Sequence, residues 1–573
     1  MTRGREDRDS AKQYEVQKAR GALDNDEDAQ TVKDSTATNM TIQASLLLAA
    51  VFLTLTILAA PAPAPGASVS NDGNAYLNAA LPPQIFHQMG QYSPRYTVPS
   101  KLPGDSLPPG CKVTLVNSLE RHGARYMTSG SSKSSKATVD KIKAALSAPG
   151  VNQEKLSSSL RFLRNATVLD GVADLVPYGA LQSYLSGRFT AQHYSDLAQH
   201  NGSVFIRTTG TPSSDRVIVT AKYWSLGYSG KPFVSDALTD GPSTRQAANA
   251  AAQHPILVIS EAAGQNNTLD VSTCPADDAY GDRYGEDGAI AEYGNSTLLP
   301  TIGARLTKEF SKANATINLT TTDILSLGNL CSFQTLGGAN VTDGGHLDIK
   351  VSPFCSVFRN DEWDKYGYAL DVGKYYGSGY GDPYHRGLAT GYLRELLARL
   401  TSTQVDLGTP SAINTTLDDS SSTFPIPASS TGAKASPRIF FDGSHDNNIS
   451  PIVASFGLFS SSDVLSKGSN AESERQGQSR AWRFSQIAPL QGKIVWEKIE
   501  CSSSSQRQQQ QGQQQEYVRV RANEAVQPAE SAPWCPSGGA QRDMVRRGLC
   551  PLDAVVQSLS WVRDGSEWAK CFA

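Results

Sequence analysis

The sequence predicts an α/β fold, and three observations carry that prediction. Short apolar runs, "KVTLVN", "SVFIRTT", "HPILVIS" and "PRIFFD", are each bounded by Gly, Pro, Ser or Asp and read as buried strands. Between them lie helical patterns, clearest in "RGLATGYLRELLARL", where Leu388, Tyr392, Leu393, Leu396, Leu397 and Leu400 recur at helical spacing. Strands that alternate with helices along one chain assemble into a sheet covered by helices. With 573 residues, 39% of them hydrophobic, the chain is long enough to bury a large core.

In chain order, residues 1–39 are polar and mixed in charge and read as a disordered tail. Residues 40–67 hold the uncharged run "TIQASLLLAAVFLTLTILAA" and the stiff spacer "PAPAPGA". Two readings fit this stretch: a signal anchor of about 20 apolar residues, or a secretory signal peptide with translation starting at Met40. Either one puts the rest of the chain outside the cytoplasm, secreted or membrane-anchored. Beyond it stand nine N-x-S/T sequons, at Asn165, Asn201, Asn266, Asn295, Asn314, Asn318, Asn340, Asn414 and Asn448. Eight cysteines without a CxxC pair suit a disulfide framework in an oxidising compartment better than a zinc site. From about Cys111 the strands and helices alternate. Three polar tracts, "LDDSSSTFPIPASSTGAKASP", "FSSSDVLSKGSNAESERQGQS" and "CSSSSQRQQQQGQQQ", read as insertions between elements. A formal net charge of −3 argues against a protein that coats nucleic acid, so anion recognition here must be local.

Three strands end on chemistry. "VTLVNSLE" runs into Arg121, His122 and Arg125, "SVFI" into Arg207, and "RIFF" into "DGSHDN" with His445 and Asp446. In open α/β sheets the ligand crevice lies outside the carboxyl ends of the strands, so these clusters can converge. Guanidinium forks and imidazole together suit the oxygens of a phosphoryl group. A neutral imidazole among them can act as nucleophile, and a neighbouring carboxyl can protonate the leaving alkoxide.

"RHGARYMT" with "SHDN" resembles the two signatures of the histidine acid phosphatases. Further blocks narrow the resemblance to their fungal phytase branch: "FIRTTG…SDRVIVTAKYW", "EAAGQNNTLDVSTCP", "LSLGNLCSF", "VSPFCSVFRNDEWDKYGYALDVGKYYGSGYGDP" and "LSWVRDGSEWAKCF". They follow family order from roughly Ser70 to the C-terminus. The resemblance implies a large α/β-sheet domain of phosphoglycerate-mutase-like fold with an inserted, mostly α-helical smaller domain. Residues 70–140 would form its first part with the nucleophile. Residues 141–300 would form the insert, with sheet segments near 203–208 and 255–261, and residues 301–573 the second part with the His-Asp motif. It implies a metal-independent phosphomonoester hydrolase needing no cofactor, most directly a phytase. Its alternatives are a broad-specificity acid phosphatase and an inositol polyphosphate phosphatase. The expected substrate is a small phosphate ester, with no nucleic-acid partner, and the expected state is a monomer.

By position, the resemblance makes His122 the nucleophile and Asp446 the general acid. Arg121, Arg125, Arg207 and His445 become phosphate ligands, with Lys133 and Lys136 as possible outer phosphate contacts. It also pairs Cys111 with Cys501, Cys274 with Cys571, Cys331 with Cys355 and Cys535 with Cys550, a choice that spacing alone leaves among 105 pairings. The chain departs from the family at Met127, where relatives carry Pro, and in the sparse lysines of "SGSSKSSKAT".

Other features read as structure. His193 and His200 lack a third ligand at fixed spacing and read as solvated or core histidines. "GSGYGD" follows no strand and reads as a loop, and the aromatics of "WDKYGYALDVGKYYG" as packing. Asn448, two residues past Asp446, is expected to carry no glycan. Glu120 stands as the substitute acid should Asp446 fail in that role.

Overall fold

A computed structural model describes residues 73–573, except 101, 103–105, 199–203, 212–214, 236–253, 428–435, 462, 469–479, 503–513 and 537–540. The tail, the apolar run 41–60, Asn201, His200 and most of the polar tracts therefore lie outside the described residues. Among the described residues no helix is long and apolar enough to cross a membrane.

The strands are β1 (Cys111–Arg121), β2 (Val204–Gly210), β3 (Ile256–Ser260), β4 (Asn340–Thr342), β5 (His346–Asp348), β6 (Ile439–Ser444), β7 (Lys493–Ser502), β8 (Gln514–Ala522), β9 (Ala525–Val526) and β10 (Cys550–Pro551). The helices that bear on the site and the sheet are α1 (Ser129–Leu146), α2 (Pro177–His193), α3 (Arg216–Tyr228), α4 (Glu286–Tyr293), α5 (Thr321–Gly337), α6 (Asn360–Ser378), α7 (His385–Thr401) and α8 (Asp446–Phe456). All four runs read as strands lie in one sheet, ordered β10-β8-β7-β1-β6-β2-β3, and β4 pairs with β5 apart from it.

Within the sheet, β1, β6, β2 and β3 run parallel, whereas β7 lies antiparallel to β1. The chain leaves β1 toward β2 on one side and leaves β6 toward β7 on the other. The ends of β1 and β6 are thus a topological switch point, where a crevice opens.

The sheet is covered on both faces, which is why β1 is buried from Leu115 to Arg121 on successive residues instead of alternating. Val116, Ile206, Ile439 and Phe441 pack with Trp224 of α3 on one face. On the other face, Leu115, Leu119 and Phe440 join the large core that includes Tyr392, Leu393 and Leu396 of α7. Residues 141–300 contribute β2 and β3 to this sheet along with α2, α3 and α4. Disulfides join Cys111 to Cys501, which face each other on β1 and β7, Cys274 to Cys571, Cys331 to Cys355 and Cys535 to Cys550.

Candidate active site

The residues that follow β1 and β6 meet at the switch point. The rings of His122 and His445 lie edge to face, 5.5 Å between centroids. His122 is buried, and its Nδ1 lies 2.8 Å from the carbonyl oxygen of Gly123. A carbonyl only accepts, so Nδ1 carries the proton and Nε2 of the neutral ring keeps its lone pair. Burial, then Arg216, Arg121 and Arg125, hold the imidazole well below its usual pKa, so it stays unprotonated in acid. The loop after it is fixed by close packing: a Cβ on Gly123 would collide with the Gly179 carbonyl, and one on Gly179 with that of Ala124. The Gly123 N–H donates to Thr220 Oγ1, and the Ala124 N–H donates to Gln182 Oε1.

Arg121 donates through Nη1 to the carbonyls of Gln91 and Ala488, and its Nη2 lies 3.1 Å from Asp446 Oδ1. Arg125 donates to the Tyr126 carbonyl at 2.8 Å and lies over the Phe333 ring. Burial, then Arg216 and Arg121, push its pKa down to about 10. The Nε groups of Arg121 and Arg125 are buried and donate to no protein atom among the described residues. Buried donors without partners are costly, which is the expected state of a site shaped for an anion.

Asp446 opens α8 beside these groups. Burial alone would raise its carboxyl pKa, but Arg121 and Lys374, helped by Arg125, hold it well below the usual carboxylate range. Lys374 of α6 lies 3.2 Å from Asp446 Oδ2 and 2.8 Å from Glu286 at the start of α4.

Arg207 is a correction. Its side chain is buried, with Nε 2.6 Å from Asp442 and Nη2 2.5 Å from Glu395. The register explains why. Arg207 and Leu119 both align with Asp442, so Arg207 sits level with Leu119, three residues before His122. That is roughly 10 Å below His122 at the usual strand rise. The arginine that reaches the site is Arg216, in the first turn of α3, with Nη2 3.3 Å from His445 Nδ1. Its field is the largest charge effect on His122.

Of the remaining sequence candidates, Lys133 and Lys136 are exposed on α1, and Lys136 is 2.9 Å from Asp170. Glu120 faces away from the site: it is buried and accepts hydrogen bonds from Ser118, Ser186, Trp224 and Gln491. Asn448 is also buried, its side chain bonded to the Val271 N–H and the Thr268 carbonyl, which leaves no room for a glycan. His193 stacks on Phe189.

Sequence reasoning missed Arg216, Lys374 and Glu261. The signal for Arg216 was present in "SDRVIV", where Arg follows a polar turn and opens an apolar helix aimed back at the sheet edge. Glu261, just past β3, accepts from Thr209 and lies 2.9 Å from His445 Nε2. Glu261, Asp270 and His445 bring ligand atoms within 4.8 Å of one another. Burial raises the Asp270 carboxyl, whereas at Glu261 the hydrogen bonds from His445 and Thr209 outweigh burial and hold the carboxyl below its usual range.

The sequence profile of the "Histidine phosphatase superfamily (branch 2)" matches residues 112–523. Phytase A of Aspergillus fumigatus is 32% identical over 530 residues, covering 92% of this chain and 99% of that protein. Phytase A of Aspergillus awamori is 31% identical over 492 residues, covering 86% of this chain and 91% of that one. The solved phytase from D. castellii shares the fold, with a TM-score of 0.58 and 20% identity over 87% of this chain and 91% of that one.

Proposed function

The chain belongs to the histidine phosphatase superfamily (branch 2), and from that premise we propose that it hydrolyses phosphomonoesters through a phosphohistidine at His122, with phytate as its substrate. The observation that carries the chemistry is the His122 Nδ1 contact to the Gly123 carbonyl, which leaves Nε2 as the lone-pair nitrogen. Around it stand Arg121, Arg125 and Arg216. Arg216 takes the role that the sequence reading gave to Arg207.

In this reading the arginines and His445 hold the phosphoryl oxygens, and their fixed charge stabilises what develops in the transition state. His122 Nε2 attacks phosphorus as the bond to the inositol oxygen breaks, and Asp446 protonates that oxygen. Water, losing its proton to Asp446, then attacks the phosphohistidine and returns the histidine. Asp446 is ionised in the field of Arg121 and Lys374. A phosphate dianion on the same arginines offsets that field and lets the carboxyl hold its proton in acid.

Phytate as substrate rests on the Phytase A relatives, about 30% identical over most of the chain. Lys374 is buried between Asp446 and Glu286, which leaves the exposed Lys133 and Lys136 for outer phosphates. The surface pair of Lys136 with Asp170 is worth at most about 1 kcal/mol and yields to a phosphate readily. Four disulfides support residence in an oxidising compartment outside the cytoplasm. The test is phosphate release by the purified protein, with chelator present, from phytate and from p-nitrophenyl phosphate. Turnover of both, with the higher kcat/KM on phytate, supports the reading. Turnover of the aryl ester alone reduces it to a general acid phosphatase, and loss of activity restored by a divalent cation overturns the metal-free mechanism.

A further inference from the structure

The catalytic reading uses His445 but leaves Glu261 without a role. Glu261 is the first residue past β3. Its Oε1 accepts from Thr209 Oγ1 at 3.0 Å, and Thr209 in turn accepts from the Asn267 amide at 2.8 Å. The same Oε1 lies 2.9 Å from Nε2 of His445. On the other side of that ring, Nη2 of Arg216 lies 3.3 Å from Nδ1.

These two contacts fix the protons. A guanidinium only donates, so Nδ1 accepts, and the hydrogen of the neutral ring must be on Nε2, donated to Glu261. A neutral His445 in this tautomer presents a lone pair at Nδ1. Toward a phosphate oxygen that lone pair is repulsive, so His445 can act as a phosphate donor only after Nδ1 takes a proton. The resulting imidazolium would lie beside Arg216 and His122, and it needs a compensating negative charge. Glu261 is hydrogen-bonded to the ring and supplies it. The charged and titratable groups around His445 are Glu261 and Asp270 beyond β3, Arg216 on α3, His122 beyond β1, and its neighbour Asp446.

We infer that Glu261 is a positioning residue that holds His445 by Nε2 and stabilises its imidazolium, so that the site takes up one proton from solvent on Nδ1 of His445 when a phosphate dianion binds. The inference rests on the phosphatase reading above and adds to it a proton count that depends on a residue beyond the signature motifs.

The experiment is calorimetric binding of inorganic phosphate to the full chain in two buffers of different ionisation heat, across pH, for wild type and Glu261→Gln. Gln keeps a hydrogen bond to Nε2 and removes the charge. Without the carboxylate the imidazolium beside Arg216 is uncompensated, so near neutrality the variant should bind phosphate at least about tenfold more weakly. Its proton uptake should fall. Glu261→Asp should restore part of the uptake. In a His445→Ala background Glu261→Gln should change phosphate affinity less than twofold, which separates an effect on His445 from general damage to the site. Equal proton uptake and unchanged phosphate affinity in Glu261→Gln overturn the inference while leaving the phosphatase reading intact. A wild type that neither binds phosphate nor hydrolyses any monoester overturns both.

Discussion

Replacing each of two arginines by methionine separates a structural guanidinium from a functional one. Arg207 is buried between Asp442 and Glu395, at 2.6 and 2.5 Å. Met fills most of the space but leaves two carboxylates with less compensation, and breaking a buried pair in this way costs about 3–5 kcal/mol. Asp442 keeps Arg399 at 2.8 Å, which places the expected loss for Arg207→Met toward the lower end, about 3 kcal/mol. Arg216 lies in the field of Glu261, Asp446 and Asp270, and its Nη2 faces His445. Arg216→Met removes a charge-assisted hydrogen bond to phosphate, worth about 1.5–3 kcal/mol, or roughly 10- to 150-fold in the inhibition constant of inorganic phosphate. It also lifts the largest charge effect on His122, so the acid limb of the pH profile should move up toward the ordinary histidine range. The assays are chemical denaturation and phosphate inhibition of both variants. If folded Arg207→Met loses phosphate affinity with unchanged stability, the register argument is wrong and the strand-end reading of Arg207 stands.

Three further outcomes follow from the same geometry. Asp446→Asn should slow phytate hydrolysis by about 10²–10⁴-fold but impair phosphorylation by p-nitrophenyl phosphate much less, because nitrophenolate leaves without a proton; equal loss on both in single-turnover kinetics would remove Asp446 as the donor. Lys374→Met takes away a cation 3.2 Å from Asp446, so the carboxyl pKa should rise and the alkaline limb of activity should move up by about 1 unit, and a shift to lower pH would contradict the assignment. Burial, then Asp277, push the Asp382 carboxyl up to about 8. The folded state thus holds a proton that the unfolded chain releases at ordinary carboxylate pKa, and stability is lost as pH rises through 8. The melting temperature should fall by about 2–4 °C between about pH 5 and pH 9, and Asp382→Asn should flatten that slope.

The strands and the two histidine clusters were legible because each depends on a local pattern: an apolar run, then a turn residue, then a charged or imidazole side chain. Arg207 misled because it stands in the sequence where the apolar run ends. The strand in fact continues to Gly210, and pairing with Asp442 turns the side chain under the sheet toward α7. Arg216 and Lys374 reach the site from the first turn of α3 and from the C-terminal part of α6, and no spacing rule links either position to His122. Lys374 was hidden inside an aromatic stretch whose packing reading was sound for its neighbours: Tyr375 does pack against Trp482. Glu261 needed the β2–β3 register, because only the sheet brings the end of β3 up to the end of β6. The sequence shows which residues can do chemistry, and long-range pairing decides which of them meet.

The account stands most directly on the covalent intermediate. Wild type, mixed with phytate or p-nitrophenyl phosphate and quenched within a single turnover, should yield one acid-labile, base-stable phosphoryl group per chain, on Nε2 of His122. His122→Ala should yield none with either ester. Absence of label in an active wild type, or label that persists in His122→Ala, would contradict the account.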